Sequence, residues 1–216
     1  MGGAPNDEIE RYLFGEIDDN GARAVRALVE NDLVAMHTHF LHFFEYLSTQ
    51  KVRTPKGLDW IRRRYPALSQ IELMVEMQAL RRMHCTMWLE SVREIVSAED
   101  SEVKFVVTDH PVTTYNAACP PASQLCQYPE DPPISLIGTQ TLFALDATHC
   151  LILTNLEYAK SPGTADLLKE RTNARYGGQT ISRTDKMIRT RKAQSRRSHR
   201  HESCFEGPCP QVRGGE

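Results

Sequence analysis

Apolar residues along the first hundred positions recur at helical spacing, whereas those of the following sixty gather into short β-branched runs separated by Pro, Gly and Ser. Asn6 is placed to cap a short helix through Phe14, and a second helix is predicted from about Asn20 to Glu30, with Ala22, Val25, Leu28 and Val29 on one buried face. A third runs from about Asp32 to Gln50. There Leu33, Met36, Phe40, Phe43, Phe44 and Leu47 fall on one arc of a helical wheel, and Arg53-Thr54-Pro55 ends the pattern because Pro disfavours a helical residue before it. A short helix over Leu58, Trp60 and Ile61 is closed by Pro66. The longest helix starts at a capping box, Ser69 followed three residues later by Glu72, and Leu73, Met77, Leu80, Trp88 and Ile95 keep one face apolar to about Ser97.

Beyond Asp100 the character turns to β. Val103-Lys104-Phe105-Val106-Val107 reads as a buried strand that must end before Pro111, since Pro cannot donate to a ladder. A loop of proline and small residues from Asn116 to Pro133 follows, then strand candidates at 134–137, 141–145 and 150–153. The last two form a hairpin across Asp146-Ala147-Thr148-His149. Helix is predicted again from Thr164 to Tyr176, stopping at Gly177-Gly178 and resuming from about Ser182. Helices, then strands, then helices predict an α+β fold. The expected domain covers residues 1–192, a helical first half packed on a small, mainly antiparallel sheet with C-terminal helices, and residues 193–216 form a disordered basic tail.

Charge changes this picture little: 26 Lys and Arg against 28 Asp and Glu give the 216-residue chain a net charge of −2. No apolar run approaches the roughly 20 residues of a membrane span, and the opening residues lack the layout of a signal peptide, so the expected location is cytoplasmic with no membrane partner. The six cysteines contain no Cys-x-x-Cys pair of a structural zinc site. Seven Lys or Arg and no acid lie from Lys186 to Arg200, a run whose cations would gain nucleic-acid affinity by releasing phosphate counterions.

The candidate chemistry centres on Asp109 and His110, a carboxylate and an imidazole at a strand end, where a rigid element can present a group to a ligand. The competing reading is an Asx-turn leading into Pro111. His84 falls at the centre of the apolar face of the longest helix and must hydrogen-bond something there, either as a core histidine or facing Asp109 and His110. His37 sits at the edge of its helix's apolar arc. His39 and His42 point to the far side, so one helix cannot bring all three to one ion, and no metal site is expected. Gly-x-Ser-x-Gly, Gly-x-x-x-x-Gly-Lys and His-Glu-x-x-His motifs are absent, and Cys85 diverges from His84 by about 100 degrees around the helix. Arg53, Arg81, Arg171 and Arg175 are each able to clamp an anion or to sit on a solvated face.

Several short motifs resemble the bacterial family known as domain of unknown function 4238. They are Thr108-Asp109-His110-Pro111, similar to that family's Ser-Asp-x-Pro; Arg53-Thr54-Pro55 after a helix; the apolar stretch Leu142 to Asn155; and Asn173-Ala174-Arg175-Tyr176. The likeness covers about residues 30–192. The family's usual His-Tyr-Val-Pro segment is absent, and Ala144-Leu145-Asp146-Ala147 stands where many members have Pro-Leu-Ser-Pro. The family brings no established activity with it. Two readings of function follow from the residues. One is a hydrolase or phosphodiester-acting enzyme with Asp109, His110 and His84 as catalytic candidates and Arg53, Asn173 and Arg175 binding a small-molecule or phosphate-containing ligand. The other is a catalytically silent domain that contacts nucleic acid or an acidic partner through its basic C-terminal segment. No cofactor is specified.

Overall fold

The computed structural model describes residues 14–172 and 188–193. Five helices come first: α1 (Gly15–Val29), α2 (Leu33–Thr38), α3 (Phe40–Val52), α4 (Pro55–Arg64) and α5 (Gln70–Leu89). Strands β1 (Val92–Ser97), β2 (Val112–Asn116), β3 (Thr139–Ala144) and β4 (His149–Thr154) follow, then the short α6 (Leu156–Lys160) and finally β5 (Ile188–Lys192). The sheet order is β2-β3-β4-β1-β5. Its first four strands are antiparallel neighbours, and β5 runs parallel to β1. This is the α+β arrangement expected, helices of the first half against a mainly antiparallel sheet.

Local chemistry explains the helix boundaries. Asp32 caps α2 by accepting from Val34 N and Ala35 N at 3.0 Å, Thr54 caps α4 with Pro55 in the first turn, and Ser69 and Glu72 complete the capping box of α5. Gly21 is where α1 meets α3. A Cβ there would lie 2.2 Å from the Tyr46 ring, so only glycine admits the contact. The core is in two parts. Ala24, Leu28, Phe43, Phe44, Leu47 and Trp88 join Ile95, Val112, Phe143 and Leu151 of the sheet, while Phe14, Val52, Ile61, Leu73, Met77 and Leu80 fill the space between α3, α4 and α5. Burial of each large side chain contributes about 1.5–3 kcal/mol before entropy is counted. Trp88 also donates to Thr141 Oγ1 at 2.9 Å, tying α5 to β3.

Several expectations are corrected. The helix expected over residues 32–50 is two helices, broken at His39, whose backbone leaves the helical region. The long helix stops at Leu89 rather than near Ser97, because 92–97 pairs with β4 on one side and β5 on the other. The run Val103 to Val107 is not a strand: Val103, Val106 and Val107 are 63%, 79% and 60% exposed, and the strand begins after Pro111 instead of ending before it. Residues 134–137 form a turn with one bridge from Leu136 to Glu170, not a strand. Residues 164–172 are turns where helix was expected, and 188–192 is strand β5 rather than a resumed helix. The expected helix from Asn6, residues 173–187 and the tail beyond 193 lie outside the described residues.

A candidate ligand cleft between α3, α4 and the 129–135 segment

The end of α3 and the start of α4 converge through one tight junction. Thr54 is extended, its Oγ1 accepts from Gly57 N at 3.2 Å, and Pro55 fixes the first turn. Gly57 rests on the last turn of α3. A Cβ there would come 2.4 Å from the Lys51 carbonyl oxygen and 2.7 Å from that of Val52, so the close approach requires glycine. This junction places Lys51 and Lys56 on the same side. Opposite them runs the proline-rich segment 129–135, held by Thr114 Oγ1 donating to the Pro132 carbonyl at 3.0 Å and by Trp60 Nε1 donating to Glu130 Oε2 at 2.9 Å. A cleft of about 310 Å³ lies between them, with Met83, His84 and Met87 of α5 also on its wall.

Asp131 is the centre of the charged end. Its Oδ2 accepts from Lys51 Nζ at 3.0 Å, its Oδ1 from Lys56 Nζ at 2.5 Å, and His110 Nε2 lies 3.2 Å from Oδ2. His110 Nδ1 is 2.9 Å from Thr54 Oγ1, so both ring nitrogens are engaged. Burial works to raise the Asp131 carboxyl, but the His110 hydrogen bond, the Lys51 charge and the bonds from Lys56 and Lys51 outweigh it and hold the group well below the usual carboxylate range. Lys51 moves the other way: burial lowers it, Asp131 opposes, and the neighbouring Lys56 ammonium adds to the lowering. An ammonium has three N–H donors. Each lysine gives one to Asp131, which leaves donors available to a ligand.

His84 occupies the inner wall. It is 4% exposed, its Nδ1 lies 3.1 Å from Ser48 Oγ, and its ring packs against Trp88 with centroids 5.1 Å apart. Burial, helped by the Lys51 charge, pushes its pKa down to about 3, so the imidazole is neutral at physiological pH.

The residues singled out from the sequence are therefore divided. His84 and His110 meet on this cleft. Asp109 is exposed and lines a separate depression with Arg26, Tyr46, Gln50 and Asp146. Arg53 is bound to Asp18 at 2.9 and 3.2 Å and stacks over Phe14, away from the lysines. Arg171 is 2% exposed and donates to the Met87 carbonyl at 3.2 Å. Asn173 and Arg175 lie outside the described residues, as does most of the run from Lys186 to Arg200. His37 is exposed rather than at a buried edge, and His39 and His42 stand with ring centroids 6.0 Å apart. Among the described residues no group of three or more His, Cys, Asp or Glu is placed to hold a metal ion, and no helix is long and apolar enough to cross a membrane. Cys85 is pushed up to about 12 by burial and by Glu45, which leaves an inert thiol.

Sequence reasoning missed Lys51, Lys56, Trp60 and Asp131. The available signal was Asp131-Pro132-Pro133, an acid fixed ahead of two rigid residues, but its partners lie 75 and 80 positions away. No family model, curated protein or solved structure matches the chain.

Proposed function

We propose that this protein binds a small phosphate-containing molecule in the cleft, with Lys51 and Lys56 as the anion-binding pair and Asp131 and His110 holding them in place. The observation that carries this reading is one carboxylate serving two ammonium groups and an imidazole on a cleft wall. With one carboxylate shared between two ammonium groups, the Lys51–Lys56–Asp131 cluster keeps an excess positive charge that an incoming anion would answer. The site is also small. At about 310 Å³ it suits a single small molecule rather than a polymer, so nucleic acid is not its ligand.

The resemblance to the domain of unknown function 4238 family belongs to this proposal as well. Two of the motifs that carry it, Arg53-Thr54-Pro55 and Thr108-Asp109-His110-Pro111, touch through the 2.9 Å contact between Thr54 and His110. Hydrolysis of the bound phosphate ester is the second reading, favoured by the Asp131–His110 pair. It requires His110 to release one of its two partners before it can take a proton from water.

Calorimetric titration of phosphate monoesters and diesters into the full-length protein tests the first reading. Binding that weakens at least tenfold in both Lys51→Met and Lys56→Met is expected. Absence of binding, or affinity unchanged in both variants, refutes it. Turnover lost in His110→Gln while binding persists would establish the second reading.

A further inference from the structure

The charged cluster occupies only one end of the cleft. Away from that end the wall includes Trp60, Met83, Met87, Pro129, Pro133 and Ile134, an apolar surface that an anion alone would leave in contact with water. Trp60 donates to Glu130, and the Arg64 guanidinium stacks on its ring at 4.3 Å, so the indole is held in place on the wall. Two thioethers face the same space. Methionine sulfur makes favourable contacts with aromatic rings and adapts to their shape. At the inner wall His84 stays neutral, so its ring brings no charge that a ligand would have to desolvate.

From this arrangement we infer that the ligand is a small aromatic phosphate: an aryl or heteroaryl ring lodged among Trp60, Met83, Met87 and Ile134, with its phosphate on Lys51 and Lys56. The inference rests on the phosphate-binding reading above and adds the body of the ligand. Flat proline and indole walls favour a planar ring over a flexible chain, because a rigid ring loses less conformational freedom on entry. The small volume limits that body to one or two rings. Glu130 accepts from Trp60, Glu170 sits exposed at the rim, and the Arg64 guanidinium on the same wall offsets part of their negative charge.

Four probes separate the possibilities in titrations of the full-length protein: inorganic phosphate, n-butyl phosphate, 1-naphthyl phosphate and neutral 1-naphthol. The aryl phosphate is expected to bind at least tenfold more tightly than each of the other three. Trp60→Leu is expected to narrow the preference for naphthyl over butyl phosphate to less than threefold, and Met83→Ala gives the same readout if the first variant does not fold. Equal affinity for butyl and naphthyl phosphate overturns this inference and leaves the phosphate reading standing. Failure of all three phosphates to bind overturns both, and binding of 1-naphthol as tight as that of its phosphate removes the role of the lysines.

Discussion

Replacing Asp131 with Asn tests the cluster most directly, because it removes the shared charge while keeping the size of the side chain. The amide retains one acceptor oxygen for two lysine donors and turns its NH2 group toward a cation. Removing one partner of a fully buried ion pair costs about 3–5 kcal/mol, and an exposed pair is worth about 1 kcal/mol or less. The side chains of Asp131, Lys51 and Lys56 are 18%, 15% and 24% exposed, so Asp131→Asn falls between these limits, at about 2–3 kcal/mol near neutral pH. The pH dependence has a defined sign. The folded-state carboxyl of Asp131 is depressed, so its contribution is fully present above the unfolded value near 3.9 and is lost as pH falls toward the folded value. Below about pH 4 the wild type loses up to ~1.4 kcal/mol per pH unit from this group, whereas the variant does not. Urea unfolding at pH 7, 5 and 3 measures both quantities. The gap should hold between pH 7 and 5 and narrow by about 1 kcal/mol at pH 3. A gap under about 0.5 kcal/mol at pH 7, typical of an ordinary surface change, would refute the reasoning, as would a gap that does not narrow in acid.

Gly57→Ala drives a methyl into the backbone carbonyls of Lys51 and Val52, and a loss of about 1–3 kcal/mol is expected in urea unfolding, with weaker phosphate binding because the two lysines are forced apart. His84 is neutral when folded and titrates near 6.5 when unfolded, so its depressed value gives stability that is complete above pH 6.5 and declines as pH falls toward 3. Unfolding followed from pH 7 to 4.5 should therefore show a shallower pH slope in His84→Gln than in the wild type. Asp109→Asn should change stability by less than about 0.5 kcal/mol and leave aryl phosphate affinity unaltered, since Asp109 is exposed and outside the cleft. Loss of binding in that variant would move the site to Asp109.

The parts of the fold readable from sequence were those written in local chemistry. Ser69 with Glu72, Thr54 with Pro55, and the hairpin around Asp146 each involve residues within four positions, and each forms as expected. The switch from α5 to β1 was hidden because Ile95 continues the helical spacing of Trp88, and only pairing with distant β4 and β5 makes 92–97 a strand. The Val103 to Val107 run has strand-forming residues but no ladder partner; Phe105 N donates to the Ala147 carbonyl at 2.9 Å, and its valines face solvent. Of the pair singled out at 109 and 110, the structure puts His110 on the cleft and Asp109 on a separate, exposed depression, and the partner of His110, Asp131, could be recognised only after folding brings the 129–135 segment against α4.

The place of β5 has a consequence for a chain made from one end. It is the last described element in sequence, yet its neighbour is β1, the first of the described strands. A growing chain that has completed β4 can already pair β1 on one side, but the other side keeps its backbone donors and acceptors uncovered until Lys192 has left the ribosome exit tunnel. For that interval the sheet ends on this side at β1 instead of at β5, whose sequence is rich in Arg and Lys, residues that discourage pairing with another chain. Translation arrested between Thr154 and Ile188 should therefore yield a product prone to aggregate, although both core clusters are by then encoded in full.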